Sequence, residues 1–511
     1  MSMFGAEFEQ IWPKAGSQLK LTEFGRKLLK QCETIKKPEC KEVDINEFKR
    51  KSSNFPLEFG TNTCRVLSQP KERYPQIQKQ IASAYPVIHE RVLQLYLDFL
   101  EHKCQYGTSL EKELYNNMSL IELIQRLLTK RCVAFGSSDD HYLLLSGEKG
   151  FGNDYLLIGT AKEKKPLILQ KVLSYDEIKL SSFLAISSHS EFINNGSRLN
   201  DGIVATDLSK IEREGVVMGL IGARFQKPLL MEYQDIMITP EQNTKENGYG
   251  FHITKDKETI ANMDLLKKID YRAMWQKFYQ QNDVVYDLAL KDGQRFGEVT
   301  KPHQRFTQHL MFDNLIMKKR YSILFDLLLL DSQARAKKLN KLAYIHVVGV
   351  GLGVWKVAEQ QTEIFLESFY ARVLQLLPQL NNIAALHFSW FYATESRNLK
   401  HNGFIKSETH PLGGIHTFLE NRNPADKLPP QFEAMLLIVS YAWDANALPG
   451  NEFWLKSLHG SNDPSTACST LISELHNPFI NMDWIRGDNL HIASEDNGIM
   501  HISDFVKHVN W

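Results

Sequence analysis

Two apolar runs, "LAYIHVVGV" (342–350) and "IAALHFSWFY" (383–392), flank "EIFLESFYARVLQLL" (363–377). In the middle segment Phe365, Phe369, Val373 and Leu377 recur every fourth residue, which draws one stripe along an α-helix. Strand, helix, strand in that order predicts a parallel pair with a right-handed crossover, and so an α/β fold. Four more runs are expected to be strands: "HYLLL" (141–145), "YLLIGT" (155–160), "GVVMGLIGARF" (215–225) and "AMLLIVSYAW" (434–443).

The residues before Cys132 have a different texture. Ile77, Ile81, Val87, Ile88, Val92, Leu95 and Phe99 are spaced as on a helix over 74–103, with Pro86 dividing it. Ser119 and Glu122 form the capping-box pair of a second helix, whose apolar face is Leu120, Leu123, Ile124, Leu127 and Leu128. The expected organisation is a mostly helical N-terminal region (1–130), a main α/β domain (131–490) and a C-terminal tail (491–511).

Several function classes are disfavoured. Lys+Arg and Asp+Glu both total 60, so the basic excess of a nucleic-acid binder is missing. "ILFDLLLL" (323–330) is too short to span a bilayer and contains Asp326. "MSMFGAEFEQIW" has no charged start followed by an apolar core, so no signal peptide is read there. The cysteines lack CxxC spacing, and His346 and His387 lie on strands without ligand spacing. The expectation is a cytoplasmic protein with no membrane span and no bound metal.

Four stretches carry candidate chemistry. In "YAWDANALPGNEFW" (441–454), Asp444 ends an apolar strand, and the C-terminal edge of parallel strands is where open sheets place ligands. Gly450 permits close approach and Asn451 could cap a following helix, with Glu452 in its first turn. One reading is two caps and a turn. The other is a pair of carboxylates, with Asn446 beside them, facing a common cavity and activating water at a glycosidic bond.

"GVGLGVW" (349–355) offers Gly349, Gly351 and Gly353, with Leu352, Val354 and Trp355 between and after them. Glycines there either admit a phosphate to backbone amides at a helix start or simply allow tight helix–sheet packing. In "SNDPSTACSTLISEL" (461–475), Asp463 before Pro464 reads as a helix N-cap. In "FINNGSRLNDG" (192–202), Asn194 and Asn195 suit a turn, while the amides together with Arg198 also suit sugar hydroxyls and phosphate. The role of "ARFQKPLLMEYQDIMITPEQNT" (223–244), which includes Arg224, is left open.

These stretches, with "EGVVMGLIGARFQKPLLMEYQDIMITPEQNTKENGYG" (214–250), "LHFSWF" (386–391) and "DPSTACST" (463–470), resemble the MavL-like family. That family comprises macrodomain-related proteins known from Legionella effectors, with relatives in eukaryotes, and the resemblance runs from about residue 120 to 480. It implies a macrodomain-like mixed sheet flanked by helices, with an N-terminal helical extension, that binds ADP-ribose as ligand and uses no cofactor. It also implies removal of ADP-ribose from arginine of a modified protein, ubiquitin in the best-known case. Binding without cleavage is the alternative.

Matched by motif, the implied catalytic acids are Asp444, Glu452 and Asp463. "GVGLGVW" becomes a pyrophosphate loop with Trp355 packing on the ligand, and "FINNGSRLNDG" a second wall with Phe192 as a stacking face. Ala445 stands where the family pattern reads "WDGN", and Glu452 is one methylene longer than Asp. The Gly-Gly-Gly and Gln-Glu-Glu signature of poly(ADP-ribose) glycohydrolases is missing. The effector resemblance further implies delivery to a host cytosol without a signal peptide, and a host-protein partner for residues 1–130.

Overall fold

The computed structural model describes residues 3–14, 16, 19–39, 42–252, 261–300 and 310–509. Ten strands form one sheet. In chain order they are β1 (Tyr85–His89), β2 (Ala185–Glu191), β3 (Glu214–Ile221), β4 (Ala343–Val348) and β5 (Ile383–Ser389). Then follow β6 (Gly403–Lys406), β7 (Gly414–Leu419), β8 (Leu436–Trp443), β9 (His491–Ser494) and β10 (Gly498–His501). Across the sheet the order is β6-β7-β5-β4-β8-β3-β2-β1-β9-β10.

The five strands β7, β5, β4, β8 and β3 run parallel. They are buried along almost their whole length, as strands covered by helices on both faces must be. The expected crossover helix is present as Gln361–Leu376 between the parallel neighbours β4 and β5. A 25-residue helix, Asn314–Lys338, carries the apolar run at 323–330 and is buried on nearly every side. No helix of the described residues is long and apolar enough to cross a membrane.

The N-terminal region differs from its expected helical form. Helices Tyr74–Ala82 and Glu90–Tyr106 are both present, but Tyr85–His89 between them is a sheet strand. It pairs with β2 on one side and β9 on the other, so the sheet crosses both boundaries drawn at 130 and 490. Pro86 is tolerated because it is the second residue of this short strand, ahead of the pairing with β9 that begins at Val87. The helix Leu120–Thr129 has the expected capping box at Ser119 and Glu122.

A buried ionic knot ties the same regions. Asp326 accepts from Arg372 at 2.6 and 2.9 Å and lies 3.1 Å from His89 Nε2, while Arg372 also reaches Glu495 at 3.1 Å. The acid that argued against a membrane span therefore pairs β1, two central helices and the C-terminal strands.

One strand expectation fails: "YLLIGT" forms a 3-10 turn, Asn153–Leu157, and conversely the polar-looking "AISSHSE" forms β2. In β2 the hydroxyls are paired internally: Ser187 donates to Asp331 at 2.6 Å, and Ser188 lies 2.8 Å from His476 Nε2. Buried polar residues satisfied in this way leave no alternating apolar pattern. His346 and His387 are core groups whose ring nitrogens lie 3.0 Å from the carbonyls of Arg422 and Glu420.

Candidate functional site

The C-terminal ends of β3, β4 and β8 open onto a cavity of about 970 Å³. Each end contributes a loop: Gly222–Gln226 after β3, Gly349–Trp355 after β4 and Asp444–Leu455 after β8. This is the strand edge at which parallel sheets hold ligands. A small antiparallel sheet, Ala134–Gly136, His141–Leu143 and Lys149–Gly150, forms a further wall.

The Asp444–Leu455 loop is held at both ends by its tryptophans. Trp443 donates its indole N–H to the Ala447 carbonyl at 2.7 Å, and Trp454 donates to the Pro449 carbonyl at 3.0 Å. The Arg131 guanidinium lies 4.1 Å over the Trp443 ring. Gly450 sits at φ 88°, and a Cβ there would meet Ala467 at 2.9 Å, so both conformation and space require glycine.

Three carboxyl groups converge in the cavity: Asp444, Glu452 and Asp463. Asp463 is not the expected N-cap. Ser461 occupies that position in the helix Asn462–Ala467. The Asp463 carboxylate instead crosses to the other loop and accepts the backbone N–H of Gly450 at 2.8 Å and of Asn451 at 2.9 Å. Its neighbour Asn462 accepts the N–H of Ala442 at 2.9 Å, so the two loops are laced together.

Asn451 is likewise no cap, because Gly450 precedes a five-residue 3-10 helix, Asn451–Leu455. Its side-chain amide clamps the Phe135 backbone, accepting from the N–H at 2.9 Å and donating to the carbonyl at 3.1 Å, and it also donates to Asp444. Glu452 accepts a long bond from Ser461 on Oε1, at 3.4 Å, while its buried Oε2 has no partner in the protein.

Burial raises all three acids, and repulsion by neighbouring acids adds to it for Asp444 and Asp463. Asp444 is pushed up to about 7 by burial and then by Glu452, against the pull of Arg224 and the Asn451 amide. Burial raises Glu452. Asp463 is raised well above the carboxylate range by burial and by both other acids, despite its two amide donors. Like charges in a shared enclosed space cannot all ionise, and such a cluster holds protons near neutral pH. Among the described residues no three His, Cys, Asp or Glu side chains group as a metal-ligand set.

Arg224 is the cation the sequence left without a role. It is buried, lies 4.8 Å over the Phe135 ring, and is fixed by the Gln226 side chain at 2.9 Å and the Ser137 carbonyl at 3.2 Å. Its place at the end of a parallel strand was the available signal, the same one that marked Asp444.

The other sequence candidates divide. Gly349, Gly351, Gly353, Val354 and Trp355 line the cavity, as does Arg198. Leu352 turns back beside Gly349 and is outside the lining. The loop does not open a helix, since the next one begins at Gln361, so helix-start amides are not what face a ligand there.

Phe192 lies in the core, its backbone bridged to Thr470, and offers no stacking face to the cavity. Asn194 accepts the Gly196 N–H at 2.9 Å and Asn195 the Ser197 N–H at 3.2 Å, as the turn reading expects, and their amides donate elsewhere in the protein, to Ile203, Cys468 and Asp426. Asn446 is fully buried, with its backbone carbonyl accepting from the Cys132 N–H at 3.1 Å. Gly450 contributes its backbone N–H to Asp463 and is likewise outside the lining.

The family described as "ADP-ribosylhydrolase MavL-like" matches residues 46–508, a wider span than the 120–480 read from motifs. Two Drosophila melanogaster proteins are similar along nearly their whole lengths. "ADP-ribosylarginine hydrolase CG2909" is 49% identical over 511 residues, 100% of this chain and 98% of its own. "ADP-ribosylarginine hydrolase CG3568" is 49% identical over 498 residues, 97% and 95% of the two chains.

Proposed function

Because the chain belongs to the MavL-like ADP-ribosylhydrolase family, we propose that it removes ADP-ribose from arginine side chains of modified proteins. One observation carries this reading. Three carboxyl groups meet in a cavity at the ends of parallel strands, and a buried oxygen of one of them, Glu452 Oε2, has no protein partner.

The reaction cleaves the bond between the ribose anomeric carbon and a guanidine nitrogen. Water oxygen adds to carbon, the C–N electron pair leaves with nitrogen, and a proton passes to the departing guanidine. Asp444 orients the ribose or takes the proton from water, and Glu452 shares the acid and base work. Acids raised toward neutrality can both accept and return that proton. Asp463 acts differently: both its oxygens are engaged by the amides that start the Glu452 segment, so it positions that segment. Arg224 and the glycine loop at 349–353 hold the pyrophosphate, with Trp355 beside it. ADP-ribose is the ligand, and no step is routed through a cofactor.

The macrodomain-like description of the fold belongs to the same proposal, supported by a crevice at the C-terminal ends of β3, β4 and β8. A bacterial effector setting is not part of it, since the relatives at 49% identity are Drosophila proteins, and no particular target protein is proposed.

The test is release of ADP-ribose from an arginine-modified protein by the parent, Asp444→Ala and Glu452→Ala. Each variant should lose turnover by orders of magnitude while melting as a folded protein. Release by Asp444→Ala at the parental rate refutes the assignment. Tight ADP-ribose binding by a parent that releases nothing would replace it with a binding-only role.

A further inference from the structure

The cavity floor is acidic and enclosed, but its mouth has another character. Phe151, Val354 and Leu455 all line the cavity and yet are 75%, 78% and 52% exposed. Large apolar side chains grouped in the open around a pocket mark an interaction site more often than chance exposure does. The exposed charges lining the mouth are cationic, Lys149 and Arg198, whereas each lining carboxylate is at least partly buried. The cavity also sits near the upper end of the range for small-molecule sites, about 300–1,000 Å³, which leaves room beyond a nucleotide-linked sugar.

We propose that this mouth docks the polypeptide flanking the modified arginine, and that it selects segments with an apolar residue close to that arginine and acidic rather than basic neighbours. The inference rests on the hydrolase reading, which requires a protein-borne arginine to reach the acids from outside. Phe151, just after the last strand of the small antiparallel sheet, and Leu455, at the end of the acid-bearing loop, receive the apolar side chain. Lys149 repels a lysine or arginine next to the scissile bond and attracts a carboxylate. On this view a free modified amino acid uses only the floor, and a modified protein uses floor and mouth together.

The experiment compares free ADP-ribosyl-arginine with a peptide carrying ADP-ribosyl-arginine between acidic and leucine neighbours. The parent is set against Phe151→Ser, Leu455→Ser and the double variant. Both side chains are largely exposed, and matching melting temperatures confirm that the variants fold. The expected result for the double variant is a fall of about tenfold in kcat/KM on the peptide, the scale of one modest interface anchor, with the free substrate changed less than twofold. A peptide with lysine neighbours should be the poorer substrate, and Lys149→Glu should reverse that order.

Equal losses on both substrates would place these side chains in the sugar-nucleotide site and overturn the proposal, as would no loss on either. If the parent cleaves neither substrate, the hydrolase reading fails. The same comparison made as dissociation constants by calorimetry then still decides whether the mouth binds peptide.

Discussion

The Asp463 carboxylate accepts the backbone N–H of Asn451 at 2.9 Å, so an acid on one loop fixes the first residue of the short helix that carries Glu452. Its other oxygen takes the Gly450 N–H at 2.8 Å. A carboxyl group accepting from two adjacent buried amides is a strong local restraint, because its loss would leave both N–H groups unpaired. Asp463→Ala should therefore loosen the Glu452 segment, and a displacement near 1 Å is enough to cost roughly a hundredfold in turnover. Asp463→Asn, which keeps one acceptor, should lose less. Equal and complete inactivation by both would instead mean that Asp463 exchanges a proton itself.

The acid cluster should make stability fall as pH rises. Asp444 titrates at about 7 when folded, against about 3.9 for a free aspartate. Between those values the folded state holds the extra proton, so its stabilising effect is full below about pH 4 and gone above about pH 7. Asp444→Asn removes the cost of ionisation. Its melting temperature should exceed the parent's at pH 8 and approach it at pH 4. A difference that grows toward acid pH would contradict this sign.

Arg224 is the cation that favours ionised Asp444. In Arg224→Gln the rising limb of the pH–rate profile should move upward by about 1 unit or more, the scale of losing a nearby opposite charge. ADP-ribose affinity should weaken at the same time if Arg224 holds the pyrophosphate as proposed. An unmoved limb with weakened affinity would confine Arg224 to binding.

Gly222 closes the gap between the loops after β3 and β4. A Cβ there would lie 2.8 Å from both the Cα and the nitrogen of Gly351. Gly222→Ala must push the glycine loop outward, at about 1–3 kcal/mol for overpacking, and should weaken ADP-ribose binding more than it lowers the melting temperature. Titration calorimetry beside thermal melts separates the two effects.

Asp326→Ala removes two of the bonds of the buried Arg372 guanidinium, leaving it Glu495 and the Pro13 carbonyl, and should cost about 3 kcal/mol, the low end for a broken buried pair. Since the knot joins β1, both central helices and the C-terminal strands, the variant should unfold earlier but still in one transition. Separate melting of residues 1–130 would show that the N-terminal region is an independent unit.

The legible parts of the sequence were those in which one residue type has one use. Four of the five parallel strands, β3, β4, β5 and β8, were readable because strands covered on both faces are near-continuously apolar, and the helix Gln361–Leu376 because its stripe repeats with the helical period. β1 was not readable: five residues between two true helices continue their apolar spacing, and only pairing with β2 and β9 makes them a strand. β2 was hidden by serines and histidine whose partners lie far along the chain.

At the site, chain order alone brought Asp444 and Glu452 onto one loop, and the strand-end rule marked where a ligand would enter. Local spacing could not tell a cap from a cross-loop tether, because Asp463 would satisfy amides in either role. That choice went to Gly450 and Asn451, and it was made by packing of the helix Asn462–Ala467 against the preceding loop. The sequence by itself determined the class of sheet and the acidic loop, since period and turn chemistry act over a few residues. Only the tertiary structure decided which acids share a cavity, that Arg224 faces them, and that Phe192 does not. Those outcomes depend on burial and charge between groups tens to hundreds of residues apart.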